Sequence, residues 1–234
     1  MSDNSLTIGM LVFPRMTQLD LTGPFEAFAR IPGAKVHLLW KRKELVTSDT
    51  GLSLLPTMTF AECPPLDVIC VPGGPGQIAL MDDGEVLTFV RKQGQQAQYV
   101  TSVCTGSLVL GAAELLNGYE ATTHWMSMDQ LEVFGTKPVK KRIVRDRNRI
   151  TGGGVTAGLD FALYLASILV GEQTARMIQL SIEYNPDPPF TSGSPDSAPS
   201  EIVSAARTRA AQMLETRRAA SLRAAERLKR ETLR

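Results

Sequence analysis

The 234-residue chain has only three cysteines and two histidines, and that scarcity excludes several kinds of protein. Cys63, Cys70 and Cys104 are too few and too unevenly spaced for a disulfide framework, and no Cys-x-x-Cys pair marks a zinc site. They are expected to be reduced thiols, with no metal. Long hydrophobic runs are missing too. The longest, Phe161 to Val170, is broken by Ser167 and falls far short of the ~20 residues that cross a bilayer. Met1 to Thr7 carries no basic residue and no small-residue cleavage signal before an apolar pattern begins. The expectation is a cytoplasmic protein with no membrane partner. There is also little excess of charge of either sign, the formal total being +1. That near-neutrality hides an asymmetry: residues 201–234 hold nine Lys and Arg against four Glu, leaving sixteen basic and twenty acidic residues before them. A basic tail can point to nucleic acid. No helix-turn-helix, zinc-finger or aromatic stacking pattern accompanies it, so a solvated helix face is expected, with no nucleic-acid partner.

What is present is ordinary for a globular fold: 43% hydrophobic and 21% charged residues. A chain of this length buries about 70% of its unfolded surface, enough for one large α/β domain plus an appendage. Leu6 to Phe13, Val36 to Trp40, Asp67 to Val71 and Tyr99 to Val103 are apolar runs of strand length, bounded by Pro, Gly or polar residues. Between them lie helix signals. Thr22 is a candidate N-cap with Pro24 in the first turn of a helix running to Arg30, and Glu85 to Gln93 forms a second. Gly106 to Leu116 opens at Cys104 and is stopped by Asn117-Gly118. Val139 to Thr151 alternates around Asp146-Arg-Asn148, a hairpin signal. Helices are then expected over Thr156 to Val170 and Glu172 to Glu183. This alternation predicts a mostly parallel sheet covered on both faces. The body is expected over residues 1–184, with a connector over 185–200. A single helix over 201–234 has Val203, Ala206, Ala210, Met213 and Leu214 on one side. Such a helix needs something to lie against, the body or a second subunit.

The chemistry centres on Val100-Thr-Ser-Val-Cys104-Thr-Gly-Ser, which passes from β-branched strand to small-residue helix with the cysteine at the junction. This is a nucleophile elbow, a turn that lifts its side chain to the open edge of the sheet and needs small neighbours such as Gly106 and Ser107. The first amides of the helix face the sulfur, and their partial positive charge is expected to lower the thiol pKa below its usual ~8.5. Asp20 follows the first strand and Gly73-Gly74 the third, so both map to the edge where ligands collect in open α/β sheets. The N–H groups of Gly73, Gly74 and Thr105 are candidates to hold negative charge developing on a substrate. Asp20 serves as an acid/base group or as a cap, and Thr105 steers substrate or caps the helix. His124, in Ala121-Thr-Thr-His-Trp125, is a candidate general base. His37 belongs to a strand, and Cys63 and Cys70 are spectators.

Taken together, these marks resemble the ThiJ/PfpI superfamily, also called class I glutamine amidotransferase-like, over roughly residues 5–190. They are the acidic Pro14 to Pro24 opening, Val71-Pro-Gly-Gly-Pro-Gly76, the Cys104 elbow, Ala121-Thr-Thr-His-Trp125 and Gly152-Gly-Gly154. The pairing of Asp20 with Cys104-Thr105, the Asp187-Pro-Pro-Phe190 connector and the helical tail are most similar to the branch that hydrates isonitriles. The resemblance implies a flavodoxin-like three-layer sandwich, a homodimer and conversion of R–N≡C to an N-substituted formamide. It also implies a Cys104 thioimidate, Asp20 as acid and then base, Thr105 near the reacting centre, and no cofactor. Thr105 stands where the superfamily's proteases have a histidine, which argues against a peptidase. Asp20 stands where glyoxal-acting members and chaperones have glutamate. With one helix after the connector, the paired helices of the superfamily's transcription regulators are not expected. The alternatives are another cysteine-dependent reaction, of glyoxalase or amidase type, and a redox sensor or ligand-binding regulator.

Overall fold

The computed structural model describes residues 5–232, so residues 1–4 of the expected body and 233–234 of the expected tail lie outside the described residues. Strand β1 (Thr7–Leu11) leads to helix α1 (Gln18–Phe28) and β2 (Lys35–Trp40). Short strands β3 (Val46–Thr47), β4 (Ser53–Leu54) and β5 (Met58–Thr59) precede β6 (Val68–Val71). Helices α2 (Gln77–Leu80) and α3 (Gly84–Gln96), strand β7 (Tyr99–Val103) and helix α4 (Gly106–Ala112) follow. Next come β8 (Glu120–Ala121), two 3-10 turns (Trp125–Gln130 and Glu132–Phe134) and β9 (Lys137–Pro138). The chain closes with β10 (Ile143–Asp146), β11 (Arg149–Gly152), α5 (Ala157–Val170), α6 (Glu172–Ser181) and α7 (Ser200–Thr232).

Seven strands form the central sheet in the order β10-β11-β7-β6-β1-β2-β5. All pair in parallel except β10, which folds back on β11 at the edge. Every residue of β6, Val-Ile-Cys-Val, is buried, because a parallel strand covered on both faces has no side left for water. Helices α1, α5 and α6 pack together on one face, while α2, α3, α4 and α7 pack on the other, giving the expected three layers. With β1, β6 and β7 adjacent and parallel, their carboxyl ends open on a single edge. On that edge stand the start of α1, the Pro72-to-Gly76 turn and Cys104.

Three local expectations are corrected. Helix α1 starts at Gln18 instead of beyond Thr22, because Thr17 is the last extended residue (φ −77°, ψ 109°). Thr22 is not the N-cap: its hydroxyl donates back to the Gln18 carbonyl at 3.1 Å. Pro24 accordingly lies inside the helix, where it has no N–H to give the Asp20 carbonyl one turn before. The helix after the elbow ends at Ala112 instead of Leu116, since Glu114 turns left-handed at φ 62°. The β3–β4 hairpin left no legible sequence signal. The Asp146 hairpin does form, turning through Arg147 at φ 54°.

Helix α7 lies against the body through its second half. Ala220, Ser221 and Ala224 are fully buried, and Arg217 is 3% exposed. Ser221 Oγ donates to Gln130 Oε1 at 3.0 Å and Arg227 to the Met81 carbonyl at 2.9 Å. Arg223 pairs with Asp82 at 2.6 Å, and Arg218 pairs with Asp129. The stripe expected from Val203 to Leu214 is only half-buried. No helix among the described residues is long and apolar enough to cross a membrane.

Candidate active site

Cys104 sits at φ +54° between β7 and α4, a left-handed conformation that a side chain adopts only where its surroundings hold it. Four bonds supply the hold. Its N–H donates to the carbonyls of Gly152 (3.0 Å) and Gly153 (2.8 Å) at the end of β11. Its own carbonyl accepts the hydroxyls of Thr123 (2.9 Å) and Ser107 (3.2 Å). The elbow also needs a missing side chain beside it: a Cβ on Gly106 would stand 2.0 Å from the Val71 carbonyl oxygen.

Asp20, in the first turn of α1, is completely buried. Its Oδ2 accepts the N–H of Gly73 at 2.8 Å, and Oδ1 has no hydrogen-bond partner. Burial pushes the carboxyl up to about 7. The Gly73 N–H and the Cys104 thiol pull it back part of the way, and the charge of Asp49 adds to the rise. The thiol is thus close enough to act on the carboxyl without a geometry that satisfies Oδ1. Thr105 Oγ1 accepts the N–H of Gly74 at 3.1 Å.

The two glycine amides expected to face a substrate's negative charge have partners within the protein. The N–H of Gly73 is committed to Asp20 and that of Gly74 to Thr105, so the turn holds two side chains of the site instead of standing free for substrate. The tightness is steric as well. A Cβ on Gly73 would lie 2.5 Å from Thr105 N and 2.8 Å from Asp20 Oδ2, and Gly74, at φ 122°, approaches Thr17 N.

The expected depression of the Cys104 pKa is corrected. Burial pushes the thiol well above its ordinary value and the Asp20 charge adds to that. Opposing them are the Thr105 N–H, the charge of Arg217 and the Thr105 hydroxyl. Desolvation acts on the whole charged form, whereas α4 is short and presents one amide to the sulfur. The resting site is therefore a thiol beside a carboxyl poised near neutrality, two groups that share protons as a pair. Cys63 and Cys70 are pushed up to about 11 and about 12, mainly by burial, and like Cys104 are free thiols.

His124 is brought near but not into the pair. Its Nδ1 accepts the N–H of Met126 at 3.3 Å, capping the 3-10 turn. Burial, then the Arg217 charge, push it down to about 4, so the ring is neutral. No described contact of Cys104 or Asp20 involves it. A cleft of about 890 Å³ opens alongside, with Thr123, His124, Trp125, Gly153, Val155 and Arg207 in its wall. Cys104, 5% exposed, is not in that wall, although Thr123 and Gly153, which bond its backbone, are.

Arg217 was not legible in the sequence. It comes from α7, donates Nη1 to Ser127 Oγ at 3.1 Å and Nη2 to Met213 Sδ at 3.5 Å, and leaves Nε buried without a partner. The available signal was the spacing of Arg217, Ala220, Ser221 and Ala224, a small-residue stripe that carries the arginine on a buried face. Among the described residues no group of three or more His, Cys, Asp or Glu is placed to hold a metal.

A parallel sheet with a left-handed cysteine elbow facing a buried carboxyl defines the class: an α/β protein built around a single thiol. The chain belongs to the DJ-1/PfpI family, whose sequence model matches residues 7–168. It is 59% identical over 224 residues to the isonitrile hydratase of Pseudomonas putida, covering 96% of this chain and 98% of that protein. The crystal structure of a ThiJ/PfpI family protein from Pseudomonas syringae matches with a TM-score of 0.91 and 47% identity, over 93% of this chain and 91% of that one. The HTH-type transcriptional regulator GbdR of Pseudomonas aeruginosa is 30% identical over 187 residues, 76% of this chain but 50% of the regulator. Helix α7 lies beyond the family match.

Proposed function

We propose that the chain is an isonitrile hydratase, converting R–N≡C and water to an N-substituted formamide. The observation that carries this reading is the buried pair of Cys104 and Asp20, with the carboxyl poised at about 7. A group with that pKa both gives and takes protons at neutral pH. The near-full-length likeness to the Pseudomonas putida hydratase supports the substrate class.

The thiol proton passes to Asp20 as the sulfur adds to the terminal carbon, and the carboxyl delivers it to that carbon, giving the thioimidate R–N=CH–S–Cys104. Water then adds to the same carbon. Asp20, now a carboxylate, takes a proton from the water and passes it to the nitrogen, and on collapse the adduct's hydroxyl proton returns to the sulfur. Collapse of the tetrahedral adduct breaks the carbon–sulfur bond, releases R–NH–CHO and returns the thiol. Thr105 holds the sulfur through its N–H and hydroxyl. The reaction is redox-neutral, and side chains supply its nucleophile and its proton carrier. A sensor reading, in which Cys104 is oxidised instead of attacking carbon, is separated from this one by turnover, since a sensor makes no formamide.

Two coarser features accompany the activity. Three free thiols suit a reducing compartment such as the cytoplasm. A homodimer is supported by Met177 and Leu180, which are one turn apart on α6 and 63% and 80% exposed; light scattering at twice the chain mass checks it. The activity itself is tested with cyclohexyl isocyanide. Wild type yields N-cyclohexylformamide and Cys104→Ala yields none, whereas absence of formamide from wild type overturns the assignment.

A further inference from the structure

Arg217 is a buried cation with no hydrogen bond or ion pair to a carboxylate among the described residues. On its own helix Arg218 and Arg223 have taken Asp129 and Asp82, and both of those pairs lie at the surface. What faces Arg217 from the packed elements is different. The 3-10 turn offers a neutral acceptor, Ser127 Oγ, and the turn's cap offers His124, held neutral. From the elbow comes Cys104, with Asp20 behind it. Burying a guanidinium is costly unless an anion compensates it. Helix α7 packs on α4, the helix that Cys104 opens, and the group there that becomes an anion during chemistry is the Cys104 sulfur. The coupling runs in both directions: the arginine charge favours the ionised sulfur, and the sulfur favours the charged arginine.

We propose that Arg217, delivered by α7 from outside the family match, is a positioning residue that stabilises the Cys104 thiolate while Asp20 holds the thiol proton. The step is a heterolysis. The S–H bond breaks, the proton goes to the Asp20 carboxylate, the electron pair stays on sulfur, and the guanidinium keeps all its protons. An arginine suits this task because it stays charged even when buried. The inference rests on Cys104 being the nucleophile, but its test does not require an isonitrile.

The experiment follows alkylation of Cys104 by iodoacetamide against pH, reading the peptide that contains Cys104 by mass spectrometry. Arg217→Gln keeps a donor for Ser127 and removes the charge. It should move the midpoint of the profile up by about one pH unit, so that alkylation at pH 7 is about tenfold slower. Arg217→Lys keeps the charge and should stay within about twofold of wild type by the same relation. Ser127→Ala removes only the hydrogen bond and should leave the midpoint in place. With cyclohexyl isocyanide, Arg217→Gln should lower kcat by about tenfold while KM barely moves. An unchanged alkylation profile in folded Arg217→Gln overturns the proposal, as does a full shift in Ser127→Ala. Should the glutamine variant fail to fold, Arg217→Lys decides, since a shift as large as charge loss predicts overturns the proposal. If wild type makes no formamide while the alkylation results hold, the hydratase reading falls and this one stands.

Discussion

The N–H of Gly74 donates to Thr105 Oγ1 at 3.1 Å, which leaves the threonine hydroxyl its own proton to direct at the Cys104 sulfur. A donor that is itself accepting a hydrogen bond is polarised and holds developing negative charge better. Hydrogen bonds to charged groups contribute about 1.5–3 kcal/mol. Thr105→Val, which keeps the shape and the backbone N–H, should therefore reduce kcat for isonitrile hydration by about tenfold to a hundredfold. Steady-state kinetics and a Cys104 alkylation profile check it. Unchanged kcat in the valine variant would remove the hydroxyl from the reaction.

Asp20 sets a pH dependence of stability whose sign follows from its raised pKa. Folded, the carboxyl titrates at about 7, against an ordinary 3.8 when unfolded. Across the interval between those values the folded protein holds a proton that the unfolded chain releases. Stability therefore falls as pH rises through that window and levels off above it. A shift of this size corresponds to about 4 kcal/mol at the alkaline end. Asp20→Asn keeps an acceptor for the Gly73 N–H and removes the buried charge. Its advantage over wild type in urea denaturation should be small near pH 4 and grow to a few kcal/mol at pH 8, with turnover lost. A constant difference between the two proteins across pH would contradict the assigned carboxyl.

Gly73 separates the two side chains that its turn holds. An added methyl would meet Thr105 N at 2.5 Å and Asp20 Oδ2 at 2.8 Å, groups fixed by backbone and by hydrogen bonds. Gly73→Ala should displace the Asp20–Cys104 pair and cut turnover by about a hundredfold or more, in line with the sensitivity of catalysis to ångström-scale misplacement. The melting temperature should fall by only several degrees, so circular dichroism separates the local effect from unfolding. Near-normal turnover would mean that the turn gives way more easily than its contacts imply.

How much of this was legible depended on the range of the interaction. The strands β1, β2, β6 and β7 were readable because each is a short apolar run closed by Pro, Gly or a polar break, and β7 matches its expected bounds residue for residue. The elbow was readable for the same reason: a strand, a cysteine and small residues are consecutive. Asp20 and Gly73 could be placed on one edge, but the bond between them spans 53 positions, and only the folded sheet shows that it consumes the glycine N–H. The thiol pKa was misjudged because a helix terminus is visible in sequence while depth of burial is not. The start of α1 was misjudged because Thr22 and Pro24 have cap chemistry, and the turn from β1 overrode it. Arg217 was hidden among nine basic residues of the tail, where solvation is the ordinary fate of a cation and nothing local marks the exception.

The same long-range logic yields a prediction for α7. Ala224 is fully buried where the helix meets the body, two turns beyond Arg217. Enlarging it to leucine adds volume to a packed seam, which costs about 1–3 kcal/mol. The helix is tied down on either side of this position, by Ser221 to Gln130 and by Arg227 to the Met81 carbonyl, so the strain has few ways to relax except by lifting that stretch. Lifting it draws Arg217 away from Cys104. Ala224→Leu should therefore lower the melting temperature by several degrees and also slow Cys104 alkylation at neutral pH. Leu222→Ala, at a half-exposed position on the other side of the helix, should change stability by less than about 0.5 kcal/mol and leave alkylation alone. If Ala224→Leu destabilises the protein without touching the thiol, α7 serves as a brace only, and its arginine acts independently of how tightly the helix is seated.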